Sequence, residues 1–313
     1  MRCLSCGKTL PDSSNASGSW HPRCIRAFFG TSEIPRLDIS NATLEEAARQ
    51  VVSAGYTVTG VQRKLSVHLS QEGRKHRLTL VGYPSGYILK PASPEYPYLP
   101  ELEHVAMGMA ADIGITTVPH GLITLSDGSL AYITRRVDRR ALVPHGVPME
   151  DLCQLSERLT EDKYRGSYEQ IAKTIDRYSS RPGLDLSEYF LVLLFCFVVG
   201  NADMHLKNFS LYCPDDIWVL APAYDLLPTT LVIPEDHEET ALSLNGKKAK
   251  LTRQDFAACG LSAGLDPKAV NGLIDVVVSR RDRLVSAIEQ APVDLPIADR
   301  WLTLIDQRIA RLV

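Results

Sequence analysis

From Tyr189 to Val199 every residue is apolar (YFLVLLFCFVV), and the chain then turns at once into GNADMHLKNF. A helix with no polar stripe has to be wrapped by protein on all sides, so the fold must supply other elements around it. The run itself is shorter than the ~20 residues needed to cross a bilayer. The amino-terminal MRCLSCGKTL lacks the apolar stretch of a signal peptide. A cytoplasmic protein with a sizeable core and no membrane contact is expected. Its 313 residues fit one large or two modest domains. The formal net charge of −3 argues against non-specific nucleic-acid binding through a basic surface. The seven cysteines (Cys3, Cys6, Cys24, Cys153, Cys196, Cys213 and Cys259) are odd in number, and in such a chain they do not suggest a disulfide framework.

The patterning divides the chain in three. Residues 1–30 form a Cys-rich segment. Residues 31–140 read as a β-rich lobe. Within it LEEAARQVVSA is helical, 56–92 alternates like a small antiparallel sheet, and PELEHVAMGMAADIG is one prominent helix ended by Gly114. TVPHGLITLSDGSLAYITRRVD then reads as a hairpin turning at Asp127 and Gly128. Residues 141–313 are mostly helical, with MEDLCQLSER, SYEQIAKTIDRYSS, LSEYFLVLLFCFVVG and two long carboxy-terminal segments, interrupted by the hairpin FSLYCPDDIWVLAPAYD. The predicted class is α+β: a two-lobed, protein-kinase-like fold with a small β-rich N-lobe and a helical C-lobe.

The polar cluster after the apolar run gives this layout a chemistry. Asp203 and Asn208 are five residues apart, the spacing with which a kinase catalytic loop presents a proton acceptor and a magnesium ligand. Asp225, in AYDLLP, offers a second hard oxygen donor for magnesium. Upstream, Lys90 closes the strand-like YILK and is placed to reach ATP phosphates. Glu103 or Glu101 on the following helix is placed to pair with it. The turn around Gly60 in TGVQRK can cover phosphates with backbone N–H groups. Each element alone has a plainer reading: a surface lysine, a helix cap, a hairpin turn, a chance Asp-x4-Asn. Their order along the chain favours the kinase reading.

In the first 30 residues, Cys3, Cys6, His21 and Cys24 form a Cys-x2-Cys-x14-His-x2-Cys set, a donor set suited to tetrahedral zinc. The plainer reading is free thiols in a segment packed on the rest of the chain.

Taken together, TGVQRKL, YILKP, RRVDR, NADMHLKNFSL, APAYDLLP and LNGKKAKLTRQDF resemble the HipA family of bacterial toxin kinases, in order from about 57 to 256. The resemblance implies an ATP- and magnesium-dependent Ser/Thr protein kinase of a toxin–antitoxin operon. Its substrate would be an aminoacyl-tRNA synthetase, tryptophanyl or glutamyl, whose modification arrests growth. Its partner would be a HipB-like DNA-binding antitoxin, so that DNA is contacted only indirectly. The resemblance makes Asp203 the catalytic base, gives magnesium to Asn208 and Asp225, and sets Lys90 on the ATP phosphates. It places nucleotide-loop contacts on Thr59, Gly60, Val61, Gln62, Arg63 and Lys64, and hinge contacts on Arg135, Arg136 and Val137. His205, Leu206, Lys207, Asn208, Tyr224 and Asp225 would line the same nucleotide site. Only about 55 residues precede the loop, where HipA has an extra subdomain. In this the chain resembles HipT, the shortened toxin of HipBST systems, whose missing subdomain is the separate antitoxin HipS; the Cys-rich start departs from that pattern. Thr57 matches the family's autophosphorylated serine and Thr59 a second acceptor, and a phosphate there would add about −1.5 to −2 charges. As β-branched residues both also suit a strand. Phosphorylation of a small molecule or lipid, or a non-catalytic corepressor role beside an antitoxin, are the alternative functions.

Overall fold

The computed structural model describes residues 1–11, 20–53, 63–73, 75–139, 146–233 and 235–313. It divides into two compact units, Met1–His104 with Val118–Pro144, and Val105–Thr117 with His145–Val313.

The first unit opens with α1 (Pro22–Phe29) and α2 (Asn41–Ser53) and is built on an antiparallel sheet. Its strands are β1 (Leu65–Glu72), β2 (Lys75–Val81), β3 (Tyr87–Lys90), β4 (His120–Thr124) and β5 (Leu130–Arg135), in the order β2-β1-β3-β5-β4. The β4–β5 turn runs through Asp127 and Gly128, whose φ of 83° suits glycine. α3 (Leu99–Ile113) follows β3, and its first residues belong to this unit. One side of the sheet shares a core with the amino-terminal segment: Cys3, Leu10, Trp20, Phe28 and Phe29 are buried with Val67, Leu89 and Ile133. Trp20 Nε1 donates to the Leu122 carbonyl at 2.8 Å, and the Leu122 amide donates to the Leu4 carbonyl at 2.8 Å. Gly121 makes room for this: a Cβ there would sit 2.4 Å from the Trp20 ring.

The second unit is helical around one apolar element. Its small sheet is β6 (Met149–Asp151), β7 (Ser210–Tyr212) and β8 (Val219–Leu220), in that order. Its helices are α4 (Leu152–Leu155), α5 (Tyr168–Tyr178), α6 (Pro182–Val199), α7 (Thr229–Val232), α8 (Arg253–Ser262), α9 (Pro267–Ser279), α10 (Arg281–Glu289) and α11 (Leu295–Ala310). The helical reading of MEDLCQLSER is corrected here. Its first residues pair with β7, and Asp151 then caps the short α4 by accepting from the Gln154 amide. The first of the two long carboxy-terminal segments is two helices, separated at Arg280.

α6 is the apolar run extended back to Pro182. Among the described residues it is long and apolar enough to cross a membrane, yet thirteen of its eighteen residues are buried inside this unit. Its one buried acid, Asp185, is satisfied by Ser179 Oγ, Arg181 Nε and the Leu220 amide. The carboxyl end of α6 is fixed from α11: Trp301 Nε1 donates to the Val199 carbonyl at 3.0 Å. Gly200 then reverses the chain at φ 84°, where a Cβ would lie 2.5 Å from Leu304 Cδ2. A glycine is required on both counts.

Candidate functional site

The loop leaving α6 is held by its own polar groups. The Asn201 amide donates to the Cys196 carbonyl at 2.8 Å, and Asn201 Oδ1 accepts from the Asp203 amide at 3.1 Å. Asn201 Nδ2 reaches the Asp225 carbonyl at 3.4 Å. The Asp203 carbonyl accepts from the His205 amide and from Asn208 Nδ2, each at 2.9 Å. The five-residue spacing therefore closes on itself. With Nδ2 committed to the loop backbone, Asn208 retains its amide oxygen as the atom suited to a hard cation.

Asp203 Oδ1 accepts from the Tyr164 hydroxyl at 2.8 Å. Burial pushes the Asp203 carboxyl above the usual carboxylate range, and the charges of Asp225 and Asp236 push it further, against Tyr164 and Lys163. The charge of Asp225 is felt at Asp203, and the carboxylate and amide oxygens of Asp225 and Asn208 are the hard donors that magnesium takes. Asp225 sits at φ 61°, a left-handed conformation that aspartate tolerates better than most residues. Burial and the charge of Lys163 lower His205 to about 4, so its imidazole is neutral near pH 7. His205 is buried edge-on to Tyr164, at 5.0 Å between rings, and its Nδ1 has no hydrogen-bond partner among the described residues. Leu206 is buried. Lys207 and Tyr224 are spent on the loop's frame: Lys207 Nζ lies 2.6 Å from Asp151 Oδ2, and the Tyr224 hydroxyl donates to the Lys207 carbonyl at 3.0 Å. Tyr224 also shares a 2.6 Å hydrogen bond with Ser210 Oγ.

In the first unit, Lys90 at the end of β3 is buried, and its ammonium lies 2.7 Å from Glu103 Oε1 on α3. Glu103, not Glu101, is thus the acid that pairs with it. The ring of Tyr132, the cross-strand partner of Lys90 on β5, is 5.5 Å from Nζ. Arg135 Nη1 donates to the carbonyls of Ala27 and Phe28 at the end of α1, at 3.1 and 3.3 Å. Arg136 makes a two-point contact with Asp138 at 2.9 and 2.6 Å, and Val137 is the residue between the two in sequence. Arg63 is half-buried and Lys64 exposed. Thr57, Thr59, Gly60, Val61 and Gln62 lie outside the described residues. The donor atoms of Cys3, Cys6, His21 and Cys24 all lie within 4.8 Å of one another.

Sequence reasoning missed Tyr164, Lys163 and Asp151, which the fold brings to the Asp203 loop. Tyr164 and Lys163 sit in an irregular stretch, EDKYRG, with no periodicity or spacing to single them out. Asp151 carried a signal as a capping residue before Leu152, but nothing in the sequence linked it to Lys207.

A buried lysine–glutamate pair in a β-rich unit and an Asp/Asn/Asp loop in a helical one define a protein of kinase-like fold. The chain belongs to the HipA-like C-terminal domain family, whose model matches residues 56–285. It is 25% identical over 285 residues to a candidate kinase of Haemophilus influenzae, covering 82% of each chain. It is 30% identical over 269 residues to the candidate kinase Y4dM of Sinorhizobium fredii, covering 80% of this chain and 63% of that one. The chain thus spans under two thirds of that relative's length. Among solved structures, the HipA toxin complex of Shewanella oneidensis with HipB and operator DNA matches with a TM-score of 0.66 at 19% identity, over 89% of this chain and 72% of that one. The Helicobacter pylori proinflammatory kinase CtkA matches with a TM-score of 0.51 at 17% identity, over 78% of this chain and 92% of that one. These two similarities give the fold.

Proposed function

We propose that this protein is an ATP- and magnesium-dependent serine/threonine protein kinase that acts as the toxin of a toxin–antitoxin system. The observation that carries the reading is the buried Lys90–Glu103 pair. A buried ammonium–carboxylate pair often gives no more stability than well-packed apolar residues would, so the pair argues for a use, and a lysine held by glutamate is suited to nucleotide phosphates. Asp203 accepts the acceptor hydroxyl's proton. Asn208 through its amide oxygen and Asp225 through its carboxylate would hold magnesium, which supplies charge neutralisation at the phosphates. Neutral His205, with Nδ1 buried and unpartnered among the described residues, is suited to a hydrogen bond with bound nucleotide. Arg63 and Lys64 add cationic charge next to the loop expected over the phosphates, and Thr57 and Thr59 are the proposed autophosphorylation sites. Arg135, Arg136 and Val137 would form the hinge.

The similarity to a HipA–HipB–DNA assembly supports a HipB-like antitoxin as partner. Family membership supports an aminoacyl-tRNA synthetase as substrate and a cytoplasmic site of action. Induced expression of the wild type and of Asp203→Asn, read by growth and phosphoproteomics, tests this. Growth arrest with a new phosphosite on a synthetase only for the wild type is expected; equal arrest by both would refute a catalytic toxin.

A further inference from the structure

The amino-terminal segment carries chemistry that phosphoryl transfer does not use. A turn brings Cys3 and Cys6 together: the Gly7 amide donates to the Cys3 carbonyl, the Cys3 amide to the Lys8 carbonyl, and Gly7 takes φ 67°. His21 and Cys24 stand at the start of α1, where Pro22 begins the helix. A tetrahedral zinc ion bonds sulfur at ~2.3 Å and imidazole nitrogen at ~2.0–2.1 Å, which sets sulfur-to-nitrogen edges of about 3.6 Å. His21 Nδ1 lies 3.4 Å from Cys6 Sγ and 4.0 Å from Cys24 Sγ, on either side of that value.

Two outer contacts prepare these atoms as ligands. His21 Nε2 lies 3.1 Å from the Thr9 carbonyl. A carbonyl only accepts, so Nε2 carries the proton and the lone pair of Nδ1 faces the sulfurs. The His21 amide donates to Cys3 Sγ at 3.3 Å, an outer contact that orients the sulfur. All three cysteines are free of disulfides. Packing alone accounts for the buried Cys3, but not for an imidazole oriented among three sulfurs or for the exposed Cys6 beside it.

We infer that Cys3, Cys6, His21 Nδ1 and Cys24 bind one zinc ion in a closed, structural site. Three soft thiolates with one imidazole in tetrahedral array select zinc over the hard cations, and four protein ligands leave no position for a reacting water. Binding one Zn²⁺ by three thiols and a neutral imidazole releases three protons. The ion ties the Cys3–Lys8 turn to α1. That helix packs Phe28 and Phe29 on Tyr87 with ring centroids 5.7 Å away, and its last carbonyls hold Arg135. The metal therefore fixes the surroundings of the end of β5 as well as its own segment.

Elemental analysis of the full chain, purified without chelators, tests this. One zinc per chain is expected, with Cys3, Cys6 and Cys24 protected from thiol reagents until the metal is withdrawn. Withdrawal should speed amide exchange at Gly30, whose N–H bonds the Arg26 carbonyl. Cys24→Ser and His21→Ala should each lose the ion. If those variants do not fold, cobalt added to the metal-free wild type should give the visible spectrum of a tetrahedral, three-thiolate ion. A chain without zinc that takes up neither zinc nor cobalt, an octahedral cobalt spectrum, or full zinc retention by both variants would overturn the proposal.

Discussion

Glu103→Gln probes the Lys90 pair most informatively, because glutamine keeps the shape and an acceptor oxygen while removing the charge. Lys90 and Glu103 are 7% and 1% exposed in their side chains, with 2.7 Å between Nζ and Oε1. Removing one member of a buried pair costs about 3–5 kcal/mol, because the other charge is left uncompensated. The retained acceptor places Glu103→Gln at the low end, about 3 kcal/mol. The Tyr132 ring faces Nζ in both proteins and does not change the difference. At ~1.4 kcal/mol per factor of ten, hydrogen exchange at β3 and β5 amides that open with the pair should accelerate by about a hundredfold. The charge-free pair Lys90→Met/Glu103→Leu should instead lie within about 1 kcal/mol of the wild type, since well-packed apolar replacements of a buried ion pair are often neutral. That double variant should also transfer no phosphate. Wild-type exchange rates in Glu103→Gln, or a double variant as unstable as the sum of the singles, would refute the reasoning.

Other outcomes follow from the second unit. Asp203→Asn should stabilise the protein near neutral pH. The folded carboxyl titrates above its unfolded value, so in the wild type stability falls as pH rises from the unfolded to the folded pKa. The difference in urea midpoint should vanish in acid and open through that window. Tyr164→Phe removes a hydrogen bond that lowers Asp203, so the acid limb of the phosphoryl-transfer rate should move to higher pH; an unmoved limb would separate Tyr164 from Asp203. Gly200→Ala, at φ 84° against Leu304, should cost more than about 1 kcal/mol by chemical denaturation, with partial rescue by Leu304→Ala.

Much of this was legible because periodicity reports burial and fixed spacings report loops. The run 189–199 announced a helix wrapped by protein. Asp203-x4-Asn208 announced a loop that closes on itself, and the structure joins the two residues through the Asp203 carbonyl. The choice between Glu101 and Glu103 was not legible, since both lie in the first turns of α3 and only packing against β3 separates them. Tyr164 and the Lys207–Asp151 bridge were hidden for a related reason: they depend on which loops the fold brings together, and no local pattern carries that. The short β6 was hidden by MEDLCQLSER, where helix-favouring residues lost to pairing with β7.

The central claim is phosphoryl transfer from ATP with Asp203 as the base. Its most direct test is incubation of the purified full chain with γ-labelled ATP and magnesium, alone and with candidate aminoacyl-tRNA synthetases, beside Asp203→Asn. The wild type should label itself or a synthetase, and the variant should bind ATP but transfer nothing. Equal labelling by both, or a wild type that binds ATP and labels neither itself nor any synthetase, would contradict it.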